Sequence, residues 1–237
     1  MENFKFKKSL GQNFLNDHHI IENIVKKTNI EEDSLVIEIG PGAGILTKEL
    51  SKYAKNVLSY EIDNRIEDVL DENLKDCHNV EIIFDDFLKR DINKDIVNYD
   101  YNKIYVVANI PYYITTPILT KLINSGIDFT AITIMIQKEV GERFAAKPCT
   151  KDYSSITVYL NYYFDIVKNF EVSKNCFTPK PNVDSVVLSL VRKQEKYHVL
   201  DQDFFFDFVR DAFKYKRKNL RNNLKKYDLD IIEKVLK

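Results

Sequence analysis

"VIEIGPGAGILT", residues 36–47, decides how the chain is read. A short apolar run ends at Gly40, glycines recur at 42 and 44, and an apolar stretch with helical spacing follows. Half of the chain's six glycines lie within these five residues. Glycine lets a backbone turn tightly and lets a ligand approach closely. A helix that starts there offers its free amides to the same ligand. The spacing is G-x-G-x-G and not the G-x-G-x-x-G of dinucleotide folds.

Outward from this turn, "VLSYE" (57–61), "VEIIF" (80–84), "KIYVVAN" (103–109) and "AITIMIQ" (131–137) repeat the apolar, β-branched and aromatic composition of strands. Between them, 44–54, 64–74 and 115–124 have helical spacing. Strand alternating with helix at this interval predicts an α/β fold, a parallel sheet covered on both faces. Further on, 154–163 reads as helix, and 164–172 with 183–191 as a late strand pair. The two prolines of "FTPKPNV" force an extended or turning connection between the pair. After Lys193 the pattern is helical, in "DFFFDFVRDAF" and "RKNLRNNLKK". The expected division is a main domain over 1–195 and a small helical domain over 196–237.

With 237 residues the chain can bury a sizeable core. No apolar run reaches membrane-spanning length, and "MENFKFKKSL" lacks the apolar core of a secretory signal, which predicts a cytoplasmic protein without a membrane partner. Three cysteines, odd in number and far apart, fit reduced thiols. His18 and His19 are adjacent, a poor metal geometry, and read as the solvated start of a helix; no metal is expected. The net charge of −1 hides two poles: residues 204–226 sum to +6 and residues 61–100 to −8. A basic pole on a neutral chain is compatible with nucleic acid at one end only.

The strand ends carry the chemistry. Glu61 closes the second strand, where a carboxylate can accept from both hydroxyls of a ribose. The third strand runs into "DDF", so Asp86, or its competitor Asp85, can accept from an adenine amino group. Glu38 precedes the glycine turn and either helps to hold its amides or is a simple structural carboxylate. No P-loop pattern exists, and "GPGAG" has no cation to meet a pyrophosphate. An adenosine cofactor without phosphate, S-adenosylmethionine, fits better than NAD. The fourth strand ends in Asn109-Ile110-Pro111-Tyr112. An adenine amino nitrogen is a poor nucleophile, because its lone pair is delocalised into the ring. The Asn109 side-chain oxygen and a backbone carbonyl such as that of Ile110 can accept its two N–H bonds and favour the pyramidal nitrogen that forms on methyl transfer. Pro111 fixes the turn, and Tyr112 offers a ring on which an extruded base stacks.

These motifs together resemble those of the ribosomal RNA adenine N6-dimethyltransferases, and within them the housekeeping small-subunit branch. The similarity runs end to end: "SLGQNFL" (9–15), "EIGPGAGILT", "EID" (61–63), "DDFLK", "NIPYYITTPIL", "MIQKEVGERFAAKP", "FTPKPNVDSVV" and "FVRDAFKYKRKNLRNNL". The resemblance implies a Rossmann-like S-adenosylmethionine-dependent methyltransferase sheet with a small C-terminal helical domain. It implies cofactor contacts at Asn13, Leu15, Gly40, Gly42, Glu61, Ile62, Asp86 rather than Asp85, Phe87 and Asn109. It places Phe177 on the far face of the target adenine. It implies a monomer acting on small-subunit rRNA in a pre-assembled small ribosomal subunit, where two adjacent adenosines in a hairpin loop near the 3′ end each receive two methyl groups in subunit biogenesis. Lys214, Lys216, Arg217, Lys218 and Arg221 then read as contacts to the RNA backbone. Two departures stand out: the helical region ends soon after "LDIIEKVLK", a truncation or a short form, and Cys149 stands where the family commonly has glycine. The rivals are the resistance branch that methylates large-subunit rRNA adenine, and an RNA-binding factor that keeps the fold without catalysis.

Overall fold

The structure, a computed structural model, describes residues 13–110, 113–194 and 197–235. It divides into two compact units: Met1–Gly141 with Ile166–Arg192, and Glu142–Asp165 with Lys193–Lys237.

The strands are β1 (Phe14–Leu15), β2 (Ser34–Ile39), β3 (Asn56–Glu61), β4 (Val80–Phe84), β5 (Lys103–Asn109), β6 (Ala131–Gln137), β7 (Phe164–Val172), β8 (Phe177–Thr178) and β9 (Ser185–Arg192). Seven of them form one sheet in the order β4-β3-β2-β5-β6-β9-β7. From β4 to β6 the neighbours are parallel, and β9 runs antiparallel to β6. Every residue of β2 is buried, as are Ala131–Ile136 of β6, which is why these strands read as unbroken apolar runs and not as alternations.

Helices α1 (His18–Thr28), α2 (Ile45–Leu50), α3 (Glu67–Leu74), α4 (Ile92–Asp95), α5 (Thr115–Asn124) and α6 (Lys138–Phe144) connect the strands. Asp17 caps α1 by accepting from the amides of His19 and Ile20, and Lys26 and Lys27 occupy its last turn, where the helix dipole favours cations. Its buried residues, Ile21, Ile24, Val25 and Thr28, recur at helical spacing on one face. Ile21, Ile24 and Val25 join Val36, Leu46, Leu50, Val57, Tyr105, Val107 and Met135 in the main core. A second apolar cluster gathers Phe14, Ala43, Ile66, Leu70 and Leu74. The chain runs outward from β2 through β3 to β4, then returns to place β5 on the other side of β2. That reversal opens a crevice at the carboxyl ends of β2 and β5, the general ligand position of open α/β sheets.

The second unit contains α7 (Ser155–Tyr163), α8 (Gln202–Ala212), α9 (Leu220–Asn223) and α10 (Leu229–Val235). The expected boundary at 195–196 lies close to the junction at Lys193, but residues 142–165 group with the C-terminal helices. Aromatic packing accounts for this. The Phe206 ring of α8 stands 4.8 Å from Tyr159 and 5.1 Å from Tyr162, both edge-on. Two helices are shorter than the sequence pattern suggests. The stretch 44–54 forms α2 and then turns, and 64–74 opens with a 3₁₀ turn, Asn64–Ile66, before α3. The basic segment 213–219 is a turn and not a helix, since Asn219 caps α9 by accepting from the Asn222 amide.

Candidate active site

The carboxyl ends of four strands, β2, β3, β4 and β5, meet at one cleft. Its walls are Asn13–Leu15, Ile39–Ala43, Tyr60–Ile62, Asp85–Leu88, Asn109 and Ile110, with Ile45, Leu46, Tyr113, Ile114 and Ile118. All the predicted cofactor residues therefore share one cavity: Asn13, Leu15, Gly40, Gly42, Glu61, Ile62, Asp86, Phe87 and Asn109. Pro111 and Tyr112 of the predicted catalytic motif lie outside the described residues.

Register explains the convergence. Ile39 pairs with Ala108 across β2 and β5, so the first loop glycine comes beside Asn109. A Cβ on Gly40 would stand 3.8 Å from the Asn109 carbonyl oxygen. Gly40, Gly42 and Gly44 all have positive φ, at 77°, 57° and 79°, a region side chains rarely adopt. The loop is closed by the Gly44 amide on the Pro41 carbonyl at 2.9 Å and the Gly40 amide on the Tyr60 carbonyl at 3.0 Å.

Glu61, and not Glu38, holds the loop. Its Oε2 accepts from the Gly42 amide at 3.3 Å and its Oε1 from the Asp63 amide at 2.8 Å. Burial raises the Glu61 pKa, and those two amides oppose the rise. Each carboxylate oxygen keeps a further lone pair for a ligand donor. Glu38 sits opposite Ser59 in the β2–β3 register and accepts from its hydroxyl at 2.7 Å. It is therefore a structural carboxylate beneath the loop, 1% exposed.

Desolvation pushes the Glu38 carboxyl up to about 7, against the pull of the Thr47 and Ser59 hydroxyls. Its folded pKa exceeds the unfolded value of 4.5, so the native state binds the proton more tightly. The stabilisation is complete below pH 4.5 and is lost as pH rises through about 7. Glu38→Gln, which keeps an acceptor for Ser59, is expected to flatten that slope. Against it, the natural protein should lose ~3 kcal/mol of urea-unfolding stability between the two pKa values; parallel stability profiles would show Glu38 charged when buried.

Asp86 caps a 3₁₀ turn, Phe87–Lys89, by accepting from the Leu88 amide at 3.0 Å. Asp85 accepts from the Asp86 amide at 2.7 Å and pairs with Arg90 at 3.5 Å. Both carboxylates reach the cleft, so geometry alone admits either. Phe87 is buried edge-on against Tyr60, at 5.1 Å. Ile62, by contrast, is 55% exposed at the rim.

Asn109 donates from Nδ2 to the Asn13 carbonyl at 3.3 Å. The Ile110 amide donates to the Met135 carbonyl at 3.2 Å, so the backbone at the end of β5 is fixed on its β6 side. Asn13 itself is carried by a strap that the sequence did not reveal. β1 pairs with β8, Leu15 opposite Phe177, in a two-stranded sheet of two residues each. The Asn16 side chain donates to the Thr178 hydroxyl at 2.8 Å. Phe14 lies over the loop, so close that a Cβ on Gly42 would come 2.7 Å from its ring. Phe177 does not line the cleft. It is 4% exposed and packed in the main core, because its pairing with Leu15 turns it inward.

Among the described residues, the cleft lining includes three carboxylates and no lysine or arginine. That donor set suits a cationic ligand and disfavours a pyrophosphate.

A family model described as ribosomal RNA adenine dimethylase matches residues 3–236. This chain belongs to that family. Its members methylate ribosomal RNA adenine, and the chain is an enzyme of that class. It is 44% identical over 227 residues to ribosomal RNA small subunit methyltransferase A of Oceanobacillus iheyensis, covering 94% of this chain and 77% of the relative. It is 47% identical over 228 residues to the protein of that name from Clostridium botulinum type A3, covering 96% and 82%. Among solved structures, a dimethyladenosine transferase from Plasmodium falciparum matches with a TM-score of 0.78 at 30% identity, covering 90% of this chain and 74% of the other. The 23S rRNA methyltransferase ErmE matches with a TM-score of 0.75 at 30% identity, covering 94% and 88%. Family members thus share the Rossmann-like methyltransferase sheet seen here.

The second unit carries the predicted RNA contacts. Lys214, Lys216, Arg217 and Lys218 are exposed in the α8–α9 connection. Arg221, on α9, is exposed and pairs with Glu233 at 3.3 Å. Among the described residues no helix is long and apolar enough to cross a membrane, and no group of metal-ligating side chains gathers.

Proposed function

We infer that the protein transfers methyl groups from S-adenosylmethionine to N6 of two adjacent adenosines in a hairpin loop near the 3′ end of small-subunit rRNA, giving dimethyladenosines. The observation that carries this reading is the opening of Asn109 into the same cleft as Glu61 and Asp86. When bound, the cofactor supplies an electrophilic methyl on a sulfonium. Glu61 would accept from its ribose hydroxyls, Asp85 or Asp86 from its adenine amino group, and the Gly40–Gly44 loop admits the methionine part closely. Asn13, Phe14 and Leu15 close over it. The glycine cradle and a lining without cationic side chains among the described residues support this ligand.

For the transfer, the amide of Asn109 is oriented by its Nδ2 bond to the Asn13 carbonyl, which leaves Oδ1 to accept from the adenine amino group. The Ile110 carbonyl accepts the second N–H. Both acceptors stabilise the nitrogen as it becomes pyramidal. Alignment of nitrogen with the methyl supplies further acceleration. Lys214, Lys216, Arg217, Lys218 and Arg221 meet RNA phosphates.

Glu61→Ala should weaken cofactor binding about 10- to 100-fold, the value of one or two charge-assisted hydrogen bonds, as read by isothermal titration; unchanged affinity would remove Glu61 from the ribose site. The closer identity to small-subunit relatives, 44–47%, than to the large-subunit ErmE structure, 30%, supports the substrate. The test is competition between unmodified small subunits and naked large-subunit rRNA for labelled methyl groups. Label confined to small subunits is expected. Label on the large-subunit rRNA would move the protein to the resistance-type activity.

A further inference from the structure

We propose that Tyr215 is a stacking platform for an unpaired RNA base, a binding site separate from the methyl-transfer cleft. The proposal rests on RNA being the substrate, as inferred above. The ring is 49% exposed, and among the described residues it takes no part in the aromatic packing that joins α7 to α8. Its backbone, in contrast, is fixed on both sides. The Tyr215 amide donates to Asn223 Oδ1 at 3.0 Å, and the Tyr215 carbonyl accepts from the Lys218 amide at 2.9 Å. Asn223 Nδ2 also reaches the carbonyls of Tyr215, Lys218 and Asn219 at 3.3, 3.3 and 3.4 Å. One asparagine therefore staples the backbone of the turn from which the exposed Tyr215 side chain projects. Ordering entropy is already spent before any ligand arrives.

Cations surround that ring. Lys218 Nζ lies 4.7 Å from its centroid and Lys214 Nζ 5.6 Å. Lys216 and Arg217 occupy the turn between. The ion pairs nearest in sequence engage Arg210, Arg221 and Lys226, leaving these four without a carboxylate within 4 Å among the described residues. A flat π-face flanked by two lysines without a short ion pair among the described residues matches a nucleotide: a base for the ring and phosphates for the lysines. Base–aromatic stacking is stronger than an exposed cation–π contact, so an arriving base displaces Lys218 from the ring and supplies it with a phosphate. A continuous duplex offers no free base face, which selects single-stranded loops and bulges.

The test titrates the whole protein with a fluorescein-labelled single-stranded RNA and with a blunt duplex of equal length, over a range of potassium chloride. Tyr215→Leu is expected to weaken single-strand binding about 10-fold with the salt slope unchanged, whereas Tyr215→Phe stays within about twofold. Lys218→Ala, as reference, should reduce the salt slope by about one. Duplex binding should not respond to Tyr215→Leu. The proposal is overturned if Tyr215→Leu binds single strands like the natural protein, if Tyr215→Phe is as weak as Tyr215→Leu, or if duplex binding falls equally. Thermal melts of each variant exclude unfolding, which the backbone staple makes independent of the ring. Methyl transfer by the unaltered protein reports on the substrate reading alone, so the two can fail separately.

Discussion

Asn109→Ala lowers the methyl-transfer rate about a hundred- to a thousand-fold, the loss typical when one acceptor or donor aimed at transition-state charge is removed. Cofactor affinity should change only a few-fold. The change removes the side-chain oxygen proposed to accept from the adenine amino group, and also the Nδ2 bond to the Asn13 carbonyl. The second loss loosens one wall of the cofactor cleft, but β1 remains held by its pairing with β8 and by Asn16 on Thr178. The Asn109 backbone stays in place through its β5–β6 pairing with Met135. Single-turnover rates with separately measured cofactor affinity distinguish the two effects. A rate within about tenfold of the natural protein would be too small for a transition-state acceptor, and would sink the assigned role.

The second large effect is expected at Gly42. Gly42→Ala introduces a methyl group at φ 57° and 2.7 Å from the Phe14 ring. The backbone cost of that conformation is about 1–2 kcal/mol. Steric overlap then moves either the loop or the strap. If the loop moves, the Gly42 amide leaves Glu61, which loses one of the two bonds that position its carboxylate. If the strap moves, Asn13 and Leu15 leave the cleft with Phe14. Either way cofactor affinity should fall at least about tenfold, since a charge-assisted hydrogen bond or a closed wall is lost. Calorimetric titration with cofactor checks this, alongside a urea melt. Normal affinity would mean that the strap is not part of the cofactor site.

Much of this site was legible because parallel strands, buried on both faces, leave unbroken apolar runs in the sequence. Each run ends at the crevice edge, so Gly40, Glu61, the Asp85–Asp86 pair and Asn109 could be aligned without coordinates. What stayed hidden depends on contacts distant in sequence. The pairing of Leu15 with Phe177 joins two strands of two residues each, far below any detectable periodicity. For the same reason the inward turn of Phe177 could not be anticipated. Position alone left Glu38 open between a loop-holding group and a structural carboxylate, and the β2–β3 register decides for the second by directing it to Ser59. Phe14, which covers the glycine turn, lies within the "SLGQNFL" motif, but its place over Gly42 depends on a contact 28 residues away in sequence. The grouping of 142–165 with the C-terminal helices reflects aromatic packing of Tyr159 and Tyr162 on Phe206. That surface becomes visible only once both helices exist. The basic segment after α8 reads as a helix by composition, yet Asn219 and Asn223 hydrogen-bond the backbone into a turn, as short polar side chains do when they compete with helix.

The central claim is that this cleft methylates the amino nitrogen of two neighbouring adenosines twice each. The most direct test incubates the protein with S-adenosylmethionine and small subunits lacking the modification, then determines the modified nucleosides by mass spectrometry. N6,N6-dimethyladenosine is expected at two adjacent positions near the 3′ end, formed about a hundred- to a thousand-fold more slowly with Asn109→Ala. Methyl groups on ring nitrogens or ribose, or on bases other than adenine, would contradict it.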